Sequence, residues 1–178
     1  SESFLARVED IKHNNFKKYN HSILGSWLAK AEGVVFENWS IGEFNPDNLQ
    51  TSCGMDFGFS IDPDSLTEVA IDKKHKKIYL KEHLYRNGLK SQELAQIVLD
   101  KVGQTLIIAD SAEPRLIADL RHLGVNIKAV KKGTIESGIT RMQDYQLIVT
   151  PDSTNIAKEL NNYVYADKGS KLYVDNYN

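Results

Sequence analysis

The feature that most constrains the fold is a short apolar run that ends in a carboxylate. Residues Thr105–Ala109 read Thr-Leu-Ile-Ile-Ala and are followed directly by Asp110. A run of this length without alternation is typical of a strand that is buried on both faces, as at the centre of a sheet. The run therefore predicts a layered fold and places Asp110 at the carboxyl end of a central strand.

The elements around this run occur in an informative order. Three strand-like segments come first, at Thr51–Ser60, Leu66–Asp72 and Lys77–Tyr85. Helices and strands then alternate, with helices at Ser91–Val102, Pro114–Gly124, Thr134–Tyr145 and Ser153–Ala166 and strands at Val125–Val130, Gln146–Thr150 and Leu172–Val174. A meander followed by alternating units predicts an α/β fold, in which three antiparallel strands and then parallel strands form a mixed sheet flanked by helices on both faces. Ribonuclease-H-like folds share this order.

The first forty residues differ in pattern from the rest. Helical spacing occurs at Ser3–Lys18 and Ile23–Glu32, and Asn38–Gln50 is predicted to be a loop. We interpret residues 1–48 as a linker or leader segment that packs on a domain formed by residues 49–178.

Composition excludes several classes of protein. The single cysteine, Cys53, excludes an intramolecular disulfide framework and a thiolate-rich zinc site. No apolar run approaches the roughly 20 residues of a membrane helix, and no signal peptide opens the chain, so we expect a reducing, cytoplasmic setting. Because the net charge is −2, any contact with DNA must use local clusters of positive charge.

Two carboxylates stand at positions that suggest chemistry. Asp56 lies within the first strand, in Gly54-Met55-Asp56-Phe57-Gly58, and Asp110 ends the apolar run. Carboxylates on neighbouring strands repel unless a divalent cation lies between them, and Mg²⁺ or Mn²⁺ prefers such oxygen ligands. The alternative is that each acid caps a turn or helix, as Asp110 could for the helix at Pro114. Asp62 is a third candidate, although its Asp-Pro pair is also typical of a turn.

Several blocks of sequence resemble the nuclease domain of tailed-phage terminase large subunits. Met55–Phe59 with Asp62-Pro63 looks like the opening strand of that domain, and Ile107–Pro114 resembles its second acidic motif. Gly124–Ile139 is similar to its basic stretch and following helix, and Glu159–Tyr165 matches a later helix. Upstream, Leu24–Trp27 and Gly33–Phe36 resemble the link to the ATPase domain in this family.

The resemblance implies a metal-dependent endonuclease that cuts concatemeric double-stranded DNA during packaging. Two ions of Mg²⁺ or Mn²⁺ would be held by acids, with Asp56 bridging both, Asp110 binding one and Asp62 as an auxiliary ligand. The third acid of the family is expected beyond Asn178. The implied partners are DNA, the ATPase domain of the same full-length chain, the terminase small subunit and the portal protein, and the implied location is the host cytoplasm. No phosphate loop ending in Gly-Lys-Ser/Thr occurs, so the packaging motor is not in this chain.

Two groups of lysines are candidates for contacts with DNA phosphates. One basic group lies on the predicted hairpin, at Lys73, Lys74, Lys76, Lys77 and Lys81, and the other comprises Lys128, Lys131, Lys132 and Arg141. The predicted phosphate contacts are Lys73, Lys74, Lys76 and Lys77 of the first group and Lys131 and Lys132 of the second. The alternative for the hairpin group is a solvated turn, because lysines often protect exposed hairpins. Two alternatives for the whole chain also remain open: another ribonuclease-H-like nuclease of the resolvase or transposase type, and a non-catalytic module that binds DNA or a packaging partner.

Overall fold

The computed structural model describes residues 33–58, 62–131, 133–165 and 173–175. They separate into two compact units, of which the larger spans Asn38–Ile156 and the smaller contains the described residues before and after it. The helices predicted at Ser3–Lys18 and Ile23–Glu32 lie outside the described residues. No helix within the described ranges is long and apolar enough to cross a lipid bilayer.

The larger unit is built on one seven-stranded sheet. Its strands in chain order are β1 (Trp39–Ile41), β2 (Thr51–Asp56), β3 (Asp64–Asp72), β4 (Lys77–Arg86), β5 (Ile107–Asp110), β6 (Ile127–Val130) and β7 (Gln146–Val149). They lie across the sheet in the order β1-β7-β4-β3-β2-β5-β6. The strands β2, β3 and β4 form the antiparallel meander, β5 and β6 extend the sheet in parallel beyond β2, and β7 and β1 do so beyond β4. The predicted mixed sheet is confirmed.

The main core lies on one face of this sheet. Helices α1 (Ser91–Val102) and α2 (Pro114–His122) cover that face. The buried side chains that meet there include Cys53, Met55, Leu66, Leu94, Val98, Ile107, Ala109, Ile117, Leu120 and Ile127. The strand residues among them alternate with residues of the opposite face, because successive side chains of a strand point to opposite sides. Burying each large aliphatic side chain contributes about 1.5–3 kcal/mol, so this face fixes the register of the strands.

The prediction of a loop at Asn38–Gln50 is wrong at its start. Trp39–Ile41 form β1, which pairs in parallel with β7 and sets Trp39 opposite Leu147. The Asn38 side-chain amide donates hydrogen bonds to backbone carbonyls at the end of helix α3 (Ile135–Gln143) and just after it, those of Met142 and Tyr145. A strand of three residues is too short to give a recognisable alternation in the sequence.

The last predicted helix is shorter than expected. Helix α4 spans Thr154–Asn162, and Tyr163–Tyr165 form strand β8, which pairs antiparallel with β9 (Tyr173–Asp175). Aromatic and β-branched residues favour strands, and here that preference outweighs the helical pattern. In this smaller unit the Val35 amide donates to the Tyr163 carbonyl at 2.8 Å, and the rings of Phe36 and Tyr163 stack with centroids 6.1 Å apart.

Candidate metal-binding active site

The two acids singled out in the sequence lie side by side at one edge of the sheet. Strands β2 and β5 are parallel neighbours, with Gly54 opposite Ile108 and Met55 opposite Ala109. Asp56 and Asp110 are the next residue on each strand, so their backbones are about 5 Å apart, the spacing of adjacent strands. The carboxyl ends of parallel strands share an edge of the sheet, which is where ligands bind in open α/β sheets.

The pleat turns both acids away from the core. Met55 and Ala109, which directly precede them, are buried against the helices, whereas Asp56 is exposed and Asp110 is half-buried on the opposite face. Strand β5 is therefore buried on one face only, and the expectation of burial on both faces is wrong because Ile108 lines an open groove. The amphipathic pattern was hidden because Ile occupies the outward position.

A groove of about 300 Å³ surrounds the two carboxylates. Its lining comprises Gly54, Met55, Asp56, Ser65, Thr67, Ile108, Ala109, Asp110 and Val130. Across the groove, Ser65 pairs with Asp56 on one side and Val130 pairs with Asp110 on the other. A Cβ built on Gly54 would meet no atom within 4 Å, so this glycine leaves the groove open between the strands.

The donor set of the groove fits a hard divalent cation. Two carboxylates and the hydroxyls of Ser65 and Thr67 line it, with no thiol or imidazole among the lining residues. Magnesium is commonly bound through one or two carboxylates together with waters and phosphate oxygens. Within the described ranges, no three His, Cys, Asp or Glu side chains gather as a set that could hold a metal ion. The described part of the groove therefore supplies two acidic ligands.

The carboxylate of Asp110 also shapes the turn that follows β5. Its Oδ1 accepts a hydrogen bond from the Ala112 amide at 3.2 Å, and the Ser111 amide donates to the Val130 carbonyl at 3.1 Å. It does not cap α2, because the residue at the N-cap of that helix is Glu113. The turn keeps Asp110 at the strand end, where it lines the groove.

A buried acid that the sequence did not single out holds the segment after β2. Asp64 is only 7% exposed, and its Oδ1 accepts a hydrogen bond from the Gly58 amide at 3.0 Å. Burial raises the pKa of the Asp64 carboxyl, and the Gly58 hydrogen bond partly opposes that shift. Gly58 itself has no room for a side chain, because a Cβ there would lie 2.0 Å from the Asp62 carbonyl oxygen.

Asp62 and Cys53 stand apart from the groove lining. Asp62 is exposed in the segment between β2 and β3 and does not line the groove. Cys53 is 1% exposed, and burial, followed by the negative charge of Glu68, raises the pKa of its thiol to about 12. It is a buried core residue and not a nucleophile.

The candidate DNA-binding lysines fall into two separate places. Lys131 is exposed and directly follows Val130, a residue of the groove lining, while Lys132 lies outside the described residues. Lys73, Lys74, Lys76 and Lys77 occupy the far end of the β3–β4 hairpin. From Ser65, opposite Asp56, to Asp72 the strand runs seven residues, which corresponds to about 23 Å. The ammonium of Lys76 lies 4.9 Å from the centre of the Tyr145 ring.

Comparison with known proteins gives consistent matches. The family model for the terminase RNase H-like domain matches residues 56–176. The large subunit of the terminase of Bacillus phage SPP1 is 34% identical over 181 residues, covering 93% of this chain and 42% of the relative. The PBSX phage terminase large subunit of Bacillus subtilis strain 168 is 30% identical over 129 residues, covering 70% of this chain and 30% of the relative. The chain thus spans less than half the length of these relatives.

Solved structures match the fold. The nuclease domain of the SPP1 large terminase with bound Mn aligns with a TM-score of 0.69 and 30% identity, covering 80% of this chain and 90% of that one. The nuclease domain of the P22 large terminase aligns with a TM-score of 0.67 and 15% identity, covering 81% and 84%. The second match is a likeness of fold alone.

Proposed function

The chain belongs to the RNase H-like nuclease family of terminase large subunits, and from this membership we propose that it is a metal-dependent endodeoxyribonuclease. Its substrate is concatemeric double-stranded DNA, which it cuts during viral genome packaging. The observation that carries the proposal is that Asp56 and Asp110 each follow the last paired residue of two adjacent parallel strands and line one open groove. The Mn bound to the SPP1 nuclease domain supports a divalent metal as the cofactor.

We assign Asp56 and Asp110 as the ligands of two Mg²⁺ or Mn²⁺ ions. Asp62 lies outside the groove lining and is proposed only as a weaker auxiliary ligand. A third carboxylate is expected from residues that follow Asn178 in the full-length protein. When bound, the ions supply Lewis acidity, which activates a water and stabilises negative charge on the phosphate and leaving oxygen. The hydroxyls of Ser65 and Thr67 line the groove and are proposed to donate hydrogen bonds to phosphate oxygens.

Little sequence specificity is expected of this site. The groove offers carboxylates, hydroxyls and aliphatic groups at a sheet edge, which suit a phosphodiester rather than base edges. Lys131 and Lys132 directly follow Val130 of the groove lining in the sequence, and they are proposed to bind flanking phosphates. The hairpin lysines are proposed to contact a more distant part of the duplex, about 23 Å away along β3. Phosphate contacts set position and carry no direct sequence information.

The larger assembly follows from the relatives, which are terminase large subunits. We propose that this chain works next to an ATPase domain in the same full-length protein. The terminase small subunit and the portal protein are the proposed partners, and the host cytoplasm is the proposed location.

The proposal is tested with supercoiled plasmid in Mn²⁺, using this chain and a form extended beyond Asn178. Nicking or linearisation is expected, with loss of at least about a hundredfold in rate for Asp56→Ala and Asp110→Ala, the size of effect seen when one stabiliser of transition-state charge is removed. Asp119→Ala, an exposed acid on α2, is the matched control and should cut at the wild-type rate. Undiminished cutting by Asp56→Ala would refute the assignment, and DNA binding without any cutting by the extended form would favour a non-catalytic module.

A further inference from the structure

A lysine of strand β6 stands on the same face of the sheet as the two acids. Lys128 pairs with Ile108, which lines the groove, and Val130, two residues further, pairs with Asp110. The side chain of Ile127 is buried in the core, so the pleat directs Lys128 to the groove side, where it is exposed. Lys128 is thus at the rim of the groove, one strand beyond Asp110.

The separation of Lys128 from the acids suits a phosphate between them. Adjacent strands are about 4.8 Å apart and alternate residues about 6.7 Å, which places the Cα atoms of Lys128 and Asp110 about 8 Å apart. Diagonal neighbours at this distance are within reach of a long side chain. The ammonium can therefore extend over the groove to a phosphate bound beside the carboxylates.

Lys128 differs in position from the other cations of the sheet. The strands of the sheet carry three other lysine or arginine side chains. These lie on the same face as Leu66, the face covered by α1 and α2: Lys77, Lys81 and Arg86. Consistent with that placement, Arg86 forms an ion pair of 3.0 Å with Glu93 of α1. Within the described part of the chain, Lys128 has no ion-pair partner. Among the lysines and arginines of these strands, Lys128 is the one on the same face of the sheet as Asp56 and Asp110, where a DNA phosphate would bind.

We propose that Lys128 is a substrate-binding residue that holds the phosphate next to the scissile one, on the β6 side of the groove. This inference rests on the proposed nuclease function. Lys128 makes the two sides of the groove chemically different, because the β3 side offers the hydroxyls of Ser65 and Thr67 and the β6 side offers a cation. The cut strand is anchored by charge on the β6 side and by hydrogen bonds on the β3 side.

The experiment measures binding of a short DNA duplex in EDTA across a range of NaCl concentrations. Lys128→Ala should reduce the slope of log K against log salt by about 0.9, the value for one lost phosphate contact. At 0.1 M salt this corresponds to about eightfold weaker binding. Lys128→Arg should keep the slope, and Lys101→Ala, an exposed lysine of α1 on the other face, should leave both quantities unchanged.

A second measurement separates a binding role from damage to the groove. Mn²⁺ binding, measured without DNA, should become about twofold tighter in Lys128→Ala, because a positive charge about 8 Å from the acids is removed under partial salt screening. A substitution that merely disturbed the groove would weaken Mn²⁺ and DNA binding together, and that result would overturn the proposal. An unchanged salt slope in Lys128→Ala would also overturn it.

Different results would refute the nuclease assignment and the role of Lys128. If Asp56→Ala abolishes cutting while Lys128→Ala keeps the wild-type salt slope, the nuclease assignment stands and the role of Lys128 is rejected. If Asp56→Ala cuts like the wild type, the nuclease site is wrong and the role of Lys128 falls with it.

Discussion

Replacing Asp56 by asparagine is expected to give a variant that is more stable than the wild type without metal and less stable than the wild type with Mn²⁺. The backbones of Asp56 and Asp110 are about 5 Å apart, the spacing of adjacent strands, and we take that value for the two charges. Two unit charges at 5 Å repel by about 0.8 kcal/mol in water and by about 3 kcal/mol at an effective dielectric constant of 20. Because Asp56 is exposed and Asp110 only half-buried, the lower end applies, about 1 kcal/mol.

In EDTA, Asp56→Asn removes this repulsion without changing the size of the side chain. The free energy of unfolding should rise by about 1 kcal/mol, which for a chain of this size raises Tm by about 2–4 °C. In Mn²⁺ at about a hundred times its Kd, the wild type gains about 2.7 kcal/mol from binding. The variant retains only one of the two carboxylates and gains less, so the wild type becomes the more stable protein.

Thermal unfolding followed by circular dichroism, with EDTA and with Mn²⁺, measures both effects. Asp119→Asn, an exposed acid of α2 outside the groove, serves as the control and should behave like the wild type in both conditions. If Asp56→Asn is no more stable than the wild type in EDTA and gains as much from Mn²⁺, the two carboxylates do not share a site and the reasoning fails.

Two further predictions concern the residues beside these acids. Gly54→Val should raise the free energy of unfolding by about 0.5–1 kcal/mol, because glycine weakens a strand and no atom lies within 4 Å of a Cβ built at this position. The added side chain should also occupy the groove and weaken Mn²⁺ binding. An equal Mn²⁺ affinity of variant and wild type by calorimetry would contradict this. Because the pKa of Asp64 is raised in the folded state, the folded protein holds its proton to higher pH than the unfolded chain, and stability should fall as pH rises from the normal carboxyl pKa through the raised one. Asp64→Asn keeps an acceptor for the Gly58 amide and should remove that fall in urea unfolding measured across the same pH range, whereas an unchanged pH profile would refute the role of burial.

The sequence predicted the two acids of the site from their positions on strands. Asp110 follows an apolar run, and Asp56 lies on the first strand of a meander, so a mixed sheet brings them to one edge once β2 and β5 are neighbours. The adjacency of β2 and β5 was predicted from the order of the elements together with the family resemblance. Ser65 and Thr67 could not be identified, because their placement requires the register of β2 against β3, which alternation alone does not fix.

The lysines show where a pattern of charge is insufficient. The hairpin cluster is the more basic of the two in sequence, but only the Lys131 region follows a strand that ends beside the acids. The hairpin turn is at the opposite end of β3, and one of its lysines lies over an aromatic ring, that of Tyr145. Which end of a strand a turn occupies is a property of the topology and not of the local composition.

The parallel pairing of β2 with β5 has a consequence for when the protein acquires activity. The chain must complete two antiparallel strands and helix α1 before β5 can dock against β2, since parallel neighbours require a long crossover. Contacts between residues so distant in sequence form slowly compared with local ones. A nascent chain from which β2 but not β5 has emerged lacks the groove, so the proposed metal site can form only after this part of the sheet has been synthesised and has folded.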